Sequence, residues 1–135
     1  MPPRSLPNLA KPTKIVCLQN MVSPGEVDEE LPNEVSSECV KYGAVVKVKI
    51  VEIPNVPDEN AVRIFIEFSR MEEAMKAVIG LHGRFFRFIL NYYFSTNYLT
   101  NRNTIIKQFQ SGRSLHAAFY DVEKYSASNL TDPVS

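Results

Sequence analysis

An α+β domain in the order βαββαβ, one four-stranded antiparallel sheet backed by two helices, is the fold this sequence predicts. Three observations point to it. The segments at 44–53 and 61–68 alternate apolar and polar residues with the two-residue period of a half-buried strand. Two others, beginning at Leu31 and near Met71, repeat apolar residues three and four apart, as an amphipathic helix does. Short apolar runs at 14–21 and 114–120 begin and end the series.

In chain order, "KIVCLQNM" (Lys14–Met21) is a short apolar run that ends in Asn, as a buried strand does at a turn. "VSPGEVDEE" follows as a turn around Pro24-Gly25. Leu31, Val35, Cys39 and Tyr42 then recur at helical spacing, with Pro32 tolerable only in the first turn and Gly43 placed as a C-terminal stop. "AVVKVKIVEI" predicts a strand with Val46, Val48 and Ile50 inward and Lys47 and Lys49 outward. "PNVPDEN" (54–60) is a polar loop. "AVRIFIEF" predicts the third strand, with Val62, Ile64, Ile66 and Phe68 on one face and Arg63, Phe65 and Glu67 on the other. Ser69 to Glu72 fits a capping box that opens the second helix, whose apolar stripe is Ala74, Ala77, Val78 and Leu81. "SLHAAFY" is the last strand, with Leu115, Ala117 and Phe119 inward. This order is the ferredoxin-like split βαβ arrangement.

Length and composition bound the function. The chain has 135 residues, the size of one domain, and 44% hydrophobic residues support a packed core. Residues 1–12 are Pro-rich without an apolar h-region and are expected to be a flexible lead-in, not a signal peptide. The domain itself is expected over 13–130, with 131–135 as a tail. No apolar run reaches the roughly 18 residues that cross a membrane. Cys17 and Cys39 lie inside predicted elements and read as buried free thiols. His82 and His116 have no Cys or carboxylate at ligand spacing, so no metal is expected. The sequence carries no phosphate loop, nucleophile elbow or cofactor motif, and no enzymatic chemistry is expected.

Charge is unevenly distributed. Lys plus Arg and Asp plus Glu each number 15, but the segment 87–110 holds Arg87, Arg102 and Lys107 and no acid. The remainder has 12 basic against 15 acidic residues, a net charge of −3. Six acids fall between Glu26 and Glu38, among them Asp28, Glu30, Glu34 and Glu38. Glu30, Glu34 and Glu38 are four apart and share a face wherever that segment is helical, where like charges repel and a cationic partner relieves them.

The βαββαβ order is that of the RNA-recognition motif, in which two strand motifs present rings that stack bases. Here the first stacking position is Cys17, Arg63 replaces a second ring, and only Phe65 remains aromatic. An RNA-binding reading would use Cys17, Arg63 and Phe65 on the sheet face, with the basic second strand. The segments "LQNMVSPGEVDEEL", "ECVKYG", "AVRIFIEF", "GRFF" and "AAFYDVEKY" resemble the UHM family, the peptide-binding variant of that motif in splicing factors. The likeness is greatest to its splicing factor 45 branch, which includes the plant DNA-damage-repair/toleration proteins. It runs from about Pro12 to Phe86 and resumes from Gly112 to about Leu130.

The resemblance implies a nuclear domain that binds tryptophan-containing basic peptides of other spliceosomal proteins and helps select 3′ splice sites. The ligands it implies are the large subunit of the U2 snRNP auxiliary factor, the branch-point-binding protein and a large U2 snRNP subunit. It assigns Arg84-Phe85-Phe86 to the family's Arg-X-Phe motif, with Phe86 stacking on the ligand's tryptophan and Arg84 bracing the pocket. It assigns Asp28 and Glu34, with Glu30 and Glu38, to the ligand's Lys and Arg residues. The family also implies a G-patch upstream that this sequence does not contain.

One stretch departs from the family pattern. Between "GRFF" and "SGR", residues 87–110 form an insertion dominated by Asn, Tyr, Phe, Ile and Thr. Gly, Ala, Val, Asp and Glu, whose codons begin with G, are absent from it. An AT-rich intron read in frame fits this composition, and so does a lineage-specific surface loop, which costs little closure entropy.

Overall fold

The computed structural model describes residues 8–22, 24–82 and 115–133. Strand β1 (Ile15–Gln19) leads through a 3-10 turn at Pro24–Glu26 into helix α1 (Leu31–Cys39). Next come β2 (Val45–Glu52), the short α2 (Asp58–Ala61) and β3 (Val62–Phe68). Helix α3 (Met71–Leu81), β4 (His116–Tyr120) and a short α4 (Val122–Ser126) complete the described residues. The strands form one sheet in the order β2-β3-β1-β4, with every neighbouring pair antiparallel.

Strand β1 is central and buried along its whole length, so it reads as an unbroken apolar run and not as an alternation. One face of the sheet carries Val16, Leu18, Ile64, Ile66 and Phe68 against Leu31, Val35 and Cys39 of α1 and the Ala74, Ala77, Val78, Leu81 stripe of α3. Each large side chain sealed in this layer contributes about 1.5–3 kcal/mol. Leu115 and Ala117 join the same core, and Phe119 packs partly against it, as the alternation of the last strand requires.

Five local features differ from expectation. Val46 is not inward: β2 is irregular between Val45 and Lys47, so Val45 faces the core and Val46 is 59% exposed. An extra residue in one strand reverses the alternation before it, and period-two reading has no signal for it. The capping box lies one residue later than Ser69–Glu72. Glu73 Oε1 accepts the Arg70 N–H at 3.1 Å and the Ser69 hydroxyl at 2.5 Å, while Oε2 accepts the Ala44 N–H at 3.0 Å. Gly43 is not a left-handed helix stop. Its Cβ would overlap the Glu73 side chain, so glycine is there to let α3 approach the start of β2. The polar loop at 54–60 contains the start of α2, and α4 follows β4 where the sequence reading placed no element.

Candidate functional site

The sheet face away from α1 and α3 is where an RNA-recognition motif stacks bases, and Cys17, Arg63 and Phe65 lie on it. The structure brings the three together and covers them. Asp121 caps α4 by accepting the N–H groups of Glu123 at 2.8 Å and Lys124 at 3.1 Å. The helix so started lays Tyr125 on Phe65, ring centroids 5.9 Å apart, while Tyr120 meets Phe65 edge-on at 4.9 Å. Phe65 and Cys17 are fully buried with Ile15 beneath these two tyrosines. Burial pushes the Cys17 thiol up to about 12, against a smaller opposing effect of the Arg63 charge, so no thiolate forms at neutral pH.

Arg63 is fastened by the segment beyond α4. Its NH1 donates to the carbonyls of Leu130 at 3.0 Å and Asp132 at 2.5 Å. The Tyr120 hydroxyl donates to the Asn129 carbonyl at 2.6 Å, and Lys124 pairs with the Asp132 carboxylate at 2.9 Å. Lys49 of β2 stands over the Tyr125 ring at 4.7 Å, a cation–π contact across the cover.

The acids assigned to a basic peptide are on and before α1, at graded depths. Asp28 Oδ1 accepts the N–H groups of Glu30 and Leu31, each at 3.0 Å, which satisfies two of the helix's free donors. Asp28 and Glu30 are exposed. Glu34 is 4% exposed, on the inner side of the helix with Val35. Glu38 pairs with Lys41, so its charge is already partly compensated. Arg84, Phe85 and Phe86, and the insertion at 87–110, lie outside the described residues.

His82 and His116 stand on either side of that stretch. His82 Nδ1 accepts the Ala117 N–H at 3.0 Å, which ties the end of α3 to β4 and requires the neutral ring with its proton on Nε2. The rings of His82 and His116 meet edge-on with centroids 5.0 Å apart. Burial is the chief cause that holds His116 below the usual imidazole range. Among the described residues, no group of three or more His, Cys, Asp or Glu side chains could hold a metal ion. No described helix is long and apolar enough to cross a membrane.

Sequence reading missed the two tyrosines that close the sheet face. A signal existed: "YDVEKY" places an Asp cap before a short helical turn and a ring four residues on. The His82–Ala117 latch left no local signal, because it joins positions 35 residues apart.

Human splicing factor 45 is 43% identical to this chain over 123 residues, which cover 91% of the chain and 25% of that protein. This is a splicing factor 45-like domain with the RNA-recognition-motif fold. The Arabidopsis thaliana DNA-damage-repair/toleration protein 111 is also 43% identical to it, over 89% of the chain and 25% of that protein. Human poly(U)-binding-splicing factor PUF60 is 33% identical over 87% of the chain and 17% of that protein. The splicing factor 45-like domain thus spans about a quarter of the length of these two curated relatives. No protein-family model matches the chain. Among solved structures, the RNA15 RRM superposes with a TM-score of 0.51 at 19% identity, covering 86% of this chain and 99% of that one. That likeness is one of fold.

Proposed function

We propose that this domain binds a tryptophan-containing basic peptide of other splicing proteins, and so acts in 3′ splice-site selection in the nucleus. The observation that carries the reading is the closed sheet face. Phe65, the one ring left at the base-stacking positions, is sealed under Tyr120 and Tyr125. An RNA ligand using Cys17, Arg63 and Phe65 would first have to displace α4 and the segment after it. By contrast, Asp28 and Glu30 offer exposed carboxylates at the start of α1, suited to Lys and Arg residues of a ligand. Rim charges of this kind raise association rate, whereas a buried aromatic anchor supplies most of the affinity. The resemblance assigns that anchor to Phe86 with Arg84 bracing the pocket, and Glu34 and Glu38, with Asp28 and Glu30, to the ligand's Lys and Arg residues. Its implied ligands are the large subunit of the U2 snRNP auxiliary factor, the branch-point-binding protein and a large U2 snRNP subunit.

The chain contains no tryptophan, so a single-tryptophan, Lys/Arg-rich peptide reports its own binding. Titrating protein into that peptide should give a saturable, salt-sensitive blue shift of its fluorescence. Phe86→Ala should weaken binding by at least about 2 kcal/mol, while Phe65→Ala leaves it unchanged. An unaltered affinity for Phe86→Ala would sink the reading. Should the full chain stay silent, the same titration with 87–110 deleted separates an obstructing insertion from a wrong assignment.

A further inference from the structure

Helix α3 is pinned at both ends by side chains that accept backbone N–H groups. At its start Glu73 accepts the N–H of Ala44, just before β2, at 3.0 Å. Just past its end the backbone of His82 leaves the helical region, with φ −61° and ψ 131°. Its N–H still closes the last turn on the Val78 carbonyl at 3.0 Å. The His82 ring reaches across to β4, where Nδ1 accepts the Ala117 N–H at 3.0 Å. β4 is an edge strand, so alternate N–H groups along it turn away from β1. Ala117 is buried, and His82 supplies the acceptor that its outward N–H needs. A buried donor left without an acceptor is costly. By contrast, the apolar stripe that seats α3 on the sheet, Ala74, Ala77, Val78 and Leu81, has no directional preference. The latch fixes what the stripe does not, the heading of the chain as it leaves the helix.

We infer that His82 is a positioning residue for the proposed peptide site, an inference that rests on the peptide reading. Arg84 follows His82 by two residues and Phe86 by four, so the chain can carry neither farther than about 14 Å from it. A change of heading at His82 is passed directly to both. Stacking on a tryptophan requires close, aligned rings, so the ligand selects the arrangement in which the latch is closed. Opening the latch lowers the apparent affinity in proportion to the fraction that stays closed. His82 is itself buried and acts through the backbone it holds, as a fixed hydrogen-bond acceptor. Asn is its conservative stand-in, because Oδ1 is bonded to Cγ as Nδ1 is and accepts the same N–H.

The full chain and the single-tryptophan, Lys/Arg-rich peptide test this. His82→Leu keeps the buried position apolar and filled but removes the acceptor. It should weaken binding at least about tenfold, as a closed fraction of about a tenth requires, while His82→Asn stays within about twofold of the natural protein. Tyr125→Ala, a destabilising change on the opposite face of the sheet, should bind the peptide as the natural protein does. Linkage supplies a measurement that needs no variant. If closure favours the peptide, the peptide favours closure. Peptide at about ten times its dissociation constant should slow hydrogen exchange of the Ala117 amide about tenfold, and leave that of Tyr125 in α4 unchanged. The inference is overturned by unchanged affinity in His82→Leu, by an Asn variant as weak as the Leu one, or by an equal loss in Tyr125→Ala. An Ala117 amide that exchanges equally fast with and without peptide overturns it too, and decides the matter should His82→Leu fail to fold. A natural chain that does not bind the peptide overturns the peptide reading and this inference together. Any of the other results in a chain that does bind overturns this inference alone.

Discussion

The Phe65 and Tyr120 rings meet edge to face, centroids 4.9 Å apart and planes at 72°. Tyr120 ends the last strand of the sheet, and Phe65 is the ring that a base would stack on. The contact therefore turns an RNA-stacking position into an interior one, within a cluster that Tyr125 completes from α4. A five-residue helix has little stability of its own, so its position depends on this packing.

Tyr125→Ala should accordingly cost about 2–4 kcal/mol in urea unfolding, the size of a large-to-small change at a buried aromatic. It should also loosen Arg63, whose two carbonyl partners lie just beyond the helix. A loss below about 0.5 kcal/mol, the range of a surface substitution, would mean that α4 does not hold the sheet face closed.

Gly80 lies inside α3, where Gly→Ala normally gains about 1 kcal/mol. Here a Cβ would come within 2.6 Å of the Tyr42 ring, which leans on the helix at that point. Gly80→Ala should be destabilising in the natural background and stabilising in a Tyr42→Ala background. The coupling read from that double-mutant cycle should fall in the range of about 0.5–3 kcal/mol found for residues in contact. Additive effects would exclude the contact.

Two groups should make stability fall in separate steps as pH is lowered. The folded state holds His116 below its ordinary value of 6.5, chiefly through burial, so the unfolded chain takes up the proton first. Stability is complete above 6.5 and declines as pH falls below it. Glu73 is shifted the other way for its charge type. The Ser69 hydroxyl and then the Ala44 N–H hold it below 4.5, and its contribution is lost as pH falls through that lower folded value. His116→Gln should remove the upper step and Glu73→Gln the lower one, measured as unfolding midpoints from pH 7.5 to 3. An upper step that survives in His116→Gln would reassign it to His82.

Much of the fold was legible because its signals are local and repetitive. The alternation of Val62, Ile64, Ile66 and Phe68 named the inner face of β3, and Ala74, Ala77, Val78 and Leu81 named the inner stripe of α3. The exceptions arise where a long-range contact decides the outcome. Gly43 resembled a helix stop because glycine commonly is one, yet the side chain it accommodates is Glu73, 30 residues away. Glu34 belonged to an acidic stripe by spacing, but its place on α1 puts it inside, unlike Glu30. Cys17 and Phe65 were readable as one face of a sheet, whereas their cover depends on a short helix after the last strand.

The irregularity at Val46 bears on how these domains behave next to one another. Strand β2 is an edge of the sheet, eight residues long, with one row of backbone groups unmatched within the sheet. A straight edge of that length is a template for a strand from another molecule. At Val46 the extra residue twists the edge out of line, and exposed Lys47 follows immediately. A second strand laid along β2 would lose its register within two residues of the start, beside a charge that it would have to desolvate. The fold thus carries its own guard against sheet-to-sheet aggregation, at the expense of one exposed valine.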